Sequence, residues 1–238
     1  MLFVGDVHGK WGPLESKLRR LGVRGETIIQ VGDFGVGFGG PAGRLEERTA
    51  LAWLDTFLAG AENTLLAIRG NHDDPAYFRS GNEHTGDYSR IRLVPDYTVE
   101  MVDGRKMLFV GGALSIDRRE RRVGCSYWTD EGFRLDAQAL TAADLTGLWA
   151  VVTHSAPPFV HPVASSGGSP LVRSFAQRDP TLLKEVNDER DDLRRLYDLV
   201  VARSRPAAWL YGHFHGHATD DIDGTRFVLL DELEVRSA

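Results

Sequence analysis

The sequence predicts an α/β fold with a substantially parallel sheet, and three observations predict it. Short apolar runs rich in β-branched residues recur along the 238-residue chain, each bounded by glycine or polar residues, as buried strands are. Stretches with helical periodicity lie between several of these runs. Five of the runs end directly in clusters of Asp, Asn and His, the place where open α/β sheets carry their ligands.

Taken in order, Leu2–Val4 reads as a strand running into Gly5-Asp6-Val7-His8-Gly9. Pro13–Leu21 sets Leu14, Leu18 and Leu21 on one helical face. Thr27–Val31 is a strand leading to Gly32-Asp33, and Leu45–Leu58 a helix aligning Leu54, Phe57 and Leu58 and ending near Gly60. Thr64–Ile68 leads to Gly70-Asn71-His72-Asp73, Met107–Val110 is a further strand, and Trp149–Thr153 leads to His154. Asp179–Arg203 is the longest helix, with Asp179-Pro180 as cap and first turn and a stripe of Leu193, Leu196, Tyr197, Val200 and Val201. Its charge-dense middle, Lys184–Arg195, reads as a solvated face. Ala208–Tyr211 leads to Gly212-His213-Phe214-His215-Gly216, and Phe227–Leu230 is the last strand. Ala164–Pro170 is a loop too short for a linker, and the expectation is one domain over 1–238.

Composition narrows the partners. The single Cys excludes a disulfide framework and a thiolate metal cluster, and fits a reducing compartment. No apolar stretch approaches the roughly 20 residues that cross a bilayer, and the N-terminus lacks the features of a signal peptide. The expectation is a soluble, cytoplasmic protein with no membrane partner. Net charge −6 argues against a broad nucleic-acid face, so an extended nucleic acid is not an expected partner. The cations are almost all Arg, which a GC-rich coding bias explains.

In Asp6-x-His8 and His213-x-His215 the paired residues stand two apart, so on extended backbone both side chains of a pair face one side. Carboxylate, imidazole and amide without sulfur exclude a thiolate zinc and fit Mn²⁺, Fe or Zn²⁺ in a catalytic setting. More candidate ligands than one ion needs point to two, spaced about 3.5–4 Å apart as in sites for in-line phosphoryl chemistry.

In this order, Asp-x-His, Gly-Asp, Gly-Asn-His-Asp, a later His and Gly-His-x-His, the motifs resemble the calcineurin-like metallophosphoesterase family from Gly5 to Gly216. The resemblance implies a four-layer α/β/β/α sandwich with a dinuclear centre at one rim. It implies that Asp6, His8, Asp33 and His215 hold a first divalent ion, and Asp33, Asn71, His154 and His213 a second, with Mn²⁺ the leading choice. A hydroxide bridging the ions would attack phosphorus in line. His72 would protonate the leaving oxygen, oriented by a hydrogen bond to Asp73.

The chain departs from the protein-phosphatase subgroup. Its second motif continues as Phe34-Gly35-Val36-Gly37-Phe38-Gly39 without Arg, its third ends in Asp73 rather than Glu, and His154 is followed by Ser155-Ala156-Pro157-Pro158. A missing Arg clamp favours a monoanionic diester over a dianionic monoester. The expected substrates are small phosphodiesters, with 2′,3′-cyclic nucleotides first because their strained ring opens without elaborate recognition. A phosphomonoesterase or protein phosphatase, a nuclease, and a non-catalytic scaffold are the alternatives, the last opposed by the complete ligand set. Selectivity is expected from 111–131, where Arg118, Arg122 and Trp128 would hold a phosphate and stack a base. Cys125 reads as a packing residue, His217 as part of a turn, and no role is assigned to His84, His161 or Ser155.

Overall fold

The computed structural model describes residues 1–79, 88–163 and 169–237; His84 and the 164–168 part of the expected loop lie outside them. Eleven strands among the described residues form two sheets. The first is ordered β11-β1-β2-β3-β4, comprising β1 (Leu2–Val4), β2 (Thr27–Gln30), β3 (Thr64–Ala67), β4 (Ile91–Leu93) and β11 (Val235–Ser237). The second is ordered β5-β6-β7-β8-β10-β9, comprising β5 (Thr98–Val102), β6 (Arg105–Val110), β7 (Leu148–Thr153), β8 (Ala208–Tyr211), β9 (Ala218–Ile222) and β10 (Thr225–Leu229). Neighbours β1 to β4 run parallel, as do β6, β7, β8 and β10, whereas β11, β5 and β9 join their sheets antiparallel.

Side-chain alternation assembles the layers. Phe3, Ile29 and Leu66 point inward against Met107, Phe109, Val152, Leu210 and Val228, forming a core between the sheets. Their neighbours Val4, Ile28 and Leu65 point the other way, against Leu14 and Leu18 of α1 (Trp11–Arg20) and Leu51, Leu54 and Leu58 of α2 (Arg44–Gly60). On the far side Leu108, Val151, Trp209 and Phe227 meet Leu140 of α4 (Ala137–Ala142) and Leu193, Leu196 and Val200 of α6 (Leu182–Val201). The result is the four-layer α/β/β/α sandwich. The remaining helices, α3 (Ala76–Arg79) and α5 (Pro170–Ala176), are short.

The longest helix begins three residues later than the spacing predicts. Thr181 stands at its N-cap, and the Asp179 side chain turns instead to Arg118, 2.5 Å from its Nε. Asp179 therefore ties a loop to the helix rather than capping it.

Candidate metal centre

The carboxyl ends of β1, β2 and β3 in one sheet and of β7 and β8 in the other meet at one rim, so both sheets contribute to the site. Asp6 and Asp33 are buried completely or nearly so, at 0% and 1% exposure. Around them the donor atoms fall into three overlapping groups, Asp6–His8–His215, His8–Asp33–His72 and Asp6–Asp33–His154. The His8 and His215 Nε2 atoms are 3.1 Å apart, and His215 Nε2 lies 3.4 Å from Asp6 Oδ2. The His213 ring packs at 5.2 Å against that of His154, and the His213 backbone N–H donates to Asp6 Oδ2 at 3.0 Å.

The backbone that brings these side chains together is not extended, contrary to the spacing argument. His8, Asp33, His213 and His215 have φ of 50°, 57°, 69° and 45°, in the left-handed region that side-chain-bearing residues rarely adopt. Convergence comes from these sharp local turns. The motif glycines provide room: a Cβ at Gly70 would overlap the Asp33 carboxylate, and one at Gly212 the Asp6 carboxylate.

Two buried atoms test whether a cation fits. His154 Nδ1 lies 2.9 Å from the Val31 carbonyl, which can only accept, so the ring carries its hydrogen on Nδ1 and presents a lone pair at Nε2. That Nε2 has no hydrogen-bond partner, although Asp33 Oδ1 is 3.1 Å away. Two lone-pair atoms this close require a proton or a cation between them. Asn71 Oδ1 is likewise buried without a partner. Its amide is held from behind, Nδ2 donating to Ser115 Oγ at 3.1 Å, while Ser115 in turn hydrogen-bonds Glu131. All three residues are buried, so the relay fixes which amide atom faces the site. These donors fit divalent ions.

The electrostatics agree. Burial opposes ionisation of Asp33, but His154 outweighs it and holds the carboxyl well below the usual range. Burial pushes Asp6 well above that range and His8 and His213 below the usual imidazole value. Burial also disfavours a charged His154, yet Asp33 and Asp6 prevail and push it up to about 9. Divalent ions among these groups would satisfy the carboxylates as anions and the imidazoles as neutral ligands.

His72 and Asp73 are not coupled as expected. The Asp73 carboxylate is fully buried and accepts the N–H groups of Phe34, Gly35, Val36 and Gly70 at 3.1, 2.6, 3.0 and 2.7 Å. It braces the second and third motif loops and has no bond to the His72 ring. His72 stacks on Phe38 with centroids 4.6 Å apart, and its Nε2 lies 2.7 Å from Arg121 Nη2. Burial, opposed by Asp33 and reinforced by Arg121, lowers His72 to about 4.

A cavity of roughly 480 Å³ opens over the site, lined by Asp33, Asn71, His72, His213, His215 and Arg121 among others. Arg118, Arg122 and Trp128 do not line it. Arg118 is spent on Asp179, Glu185 and Thr181, which hold its loop to α6. Arg122 is exposed to solvent. Trp128 sits behind Phe38, with ring centroids 6.3 Å apart. Arg121 lines the cavity in their stead, and Phe38 backs the His72 ring. Arg121 is one of four Arg in the run 118–122, and nothing in that run distinguishes it; Ser115 carries no signal either. His217 pairs with Glu234 at the surface, and Cys125 is half-buried beside Gly40, as a packing residue would be.

Fold and rim together define a hydrolase of phosphoesters that works through metal ions. A family model described as calcineurin-like phosphoesterase matches residues 1–217, and the chain belongs to that family, whose members typically bind a dinuclear divalent centre. One solved structure matches with a TM-score of 0.51 at 14% identity, covering 97% of this chain and 90% of its own, a likeness of fold. Also similar are an archaeal phosphodiesterase (TM-score 0.43, 10% identity, 98% and 84% covered) and a phosphopantetheinyl hydrolase from Mycobacterium tuberculosis (0.45, 15%, 97% and 89%). Among curated proteins, none matches the sequence. No helix among the described residues is long and apolar enough to cross a membrane.

Proposed function

We propose that the chain acts as a single metallophosphoesterase domain over 1–238, hydrolysing small phosphodiesters, with 2′,3′-cyclic nucleotides the first candidates. The observation that carries the reading is the partnerless His154 Nε2 and Asn71 Oδ1 beside the buried Asp33. Asp6, His8, Asp33 and His215 would hold one divalent ion, and Asp33, Asn71, His154 and His213 a second, Mn²⁺ being the first choice ahead of Fe or Zn²⁺. Bound there, such ions lower the pKa of water and neutralise charge on phosphate oxygens.

The protein's own residues supply the rest. Arg121 donates Nη1 to the Asn71 and Ser126 carbonyls and Nη2 to His72, and its Nε forms an ion pair with Asp117, so most of the guanidinium is held while the second Nη2 N–H remains for a phosphate oxygen. One largely committed guanidinium suits a monoanionic diester better than a dianionic monoester. Because a guanidinium only donates, His72 Nε2 accepts, and the neutral ring presents its Nδ1–H as a hydrogen-bond donor to the leaving oxygen. Outright proton transfer from Nδ1 would draw on the imidazolium, whose Nε2 carries its own hydrogen and is released from Arg121. Phe38, stacked on the ring, holds it in that plane. A reducing, cytoplasmic setting belongs to the same proposal and rests on the lone Cys125.

The test compares a diester and a monoester of one leaving group, with Mn²⁺ and then with a chelator. Preferred, chelator-sensitive diester turnover is the expected result, and a strong monoester preference would overturn it. His72→Ala should lose far more rate on a poor leaving group than on p-nitrophenolate; equal losses would remove His72 from proton transfer.

A further inference from the structure

The cavity has two unlike halves. Its floor is the cluster of Asp33, Asn71, His72, His213 and His215, and its opposite wall is apolar. Leu114 and Ile116 enter that wall from the segment after β6, Leu171 and Val172 from α5, Val186 from α6, and Phe214 from the loop after β8. All six keep part of their surface exposed, so four separate parts of the chain present apolar area to one space. That is the make-up of a small-molecule subsite.

The polar side chains beside the wall are already engaged. Arg190 is 5% exposed and donates to the carbonyls of Ala156, Pro157, Val160 and Pro162, with the Phe214 ring 5.0 Å from its guanidinium carbon. Glu189 accepts from the Phe133 and Leu114 N–H groups and from Ser155. Asp117 pairs with Arg121, and Ser169 Oγ caps α5 by accepting from Val172 N at 3.3 Å. Among the described residues, the Arg side chains lining the cavity are therefore Arg121, beside the floor, and Arg190, committed to carbonyls. A second phosphate on the substrate would meet no free guanidinium there, and would lie beside the Asp117 carboxyl group.

We infer that the wall is a subsite for an uncharged, apolar ester arm. With the phosphate on the floor, the alcohol that reaches toward α5 and α6 carries an aliphatic or flat aromatic group, read by contact rather than by hydrogen bonds. A nucleobase satisfies this condition; an arm bearing another phosphate does not. The inference rests on the phosphoesterase reading above.

The experiment uses the full chain with Mn²⁺ and p-nitrophenyl phosphodiesters whose second arm is methyl, benzyl or 2-phosphoethyl. The benzyl ester should exceed the methyl ester in kcat/KM by about ten-fold or more, mainly through KM, with the phosphoethyl ester at or below methyl. Val186→Asp and Ile116→Asp should each bring the benzyl-to-methyl ratio toward one, and Val186→Leu should keep it. Because the ratio is read within each variant, a partial loss of folded protein does not disturb it. A ratio near one in the wild type, a ratio that both Asp variants leave intact, or a preference for the phosphoethyl ester overturns the subsite. If only monoesters turn over, the diesterase reading fails and the ratio is read on benzyl and methyl phosphate. If neither form turns over, calorimetry with benzylphosphonate and methylphosphonate decides the subsite by the same criterion.

Discussion

Left-handed backbone at His8, Asp33, His213 and His215 is costly, of the order of 1–3 kcal/mol per residue, and persists where the surrounding structure holds it. Here the holding bonds are visible: Asp73 pins the second and third motif loops, and Asp6 takes the His213 N–H. Asp73→Asn, which replaces one accepting oxygen by a donor, should cost about 1–3 kcal/mol in a denaturant melt; a change within error would show that the brace is dispensable. The Glu131–Ser115–Asn71 relay makes a different kind of expectation, since it aims one oxygen rather than supporting the fold. Ser115→Ala should weaken the second metal about 10–100-fold with little change in the melting of the chelated protein, and Ser115→Ala added to Asn71→Ala should weaken it no further. A full additive loss in the double variant would make Ser115 a packing residue. Arg118 and Arg121 separate in the same way. Arg118→Ala should lower thermal stability and spare kcat/KM, whereas Arg121→Ala should lower kcat/KM about ten-fold or more, the effect of a lost charge-assisted contact.

At the scale of elements, the strands that periodicity picks out are β1, β2, β3, β6, β7, β8 and β10, the interior members of the two sheets. The four it passes over, β4, β5, β9 and β11, are the four edges. Interior strands are covered on both faces and read as continuous apolar runs, whereas an edge such as Ala218–Ile222 carries Thr219, Asp220 and Asp221 and resembles a loop. The same contrast explains the site. The ligand types were legible because five of the seven interior strands, β1, β2, β3, β7 and β8, run into them. Arg121 and Ser115 were not, because the path of the 111–131 loop is set by long-range partners such as Asp179, just before α6. Helix α6 also carries a pH expectation through Glu189, which burial raises to about 7. Between its unfolded value near 4.5 and about 7, the folded chain keeps a proton that the unfolded chain has lost, so stability falls as pH rises through this window. Glu189→Gln removes that dependence and should gain on the wild type by up to about 1.4 kcal/mol per pH unit there. Parallel pH–stability curves would show that Glu189 ionises freely.

For the whole molecule, the net charge of −6 omits any bound dication, and two would add four positive charges at the rim where the acidic ligands gather. Because a cation that binds the folded rim and not the unfolded chain stabilises by mass action, each ion at a thousand times its Kd adds about 4 kcal/mol. A chelator should therefore lower the melting temperature as well as stop turnover. The most direct test counts the ions: Mn²⁺ per chain after reconstitution and desalting, by elemental analysis on the wild type, Asn71→Ala and Asp33→Asn. Two ions in the wild type, about one in Asn71→Ala and fewer than one in Asp33→Asn are expected, since Asp33 is shared between both sites. One ion or none in the wild type, or two retained in Asp33→Asn, would contradict a dinuclear centre built on these residues.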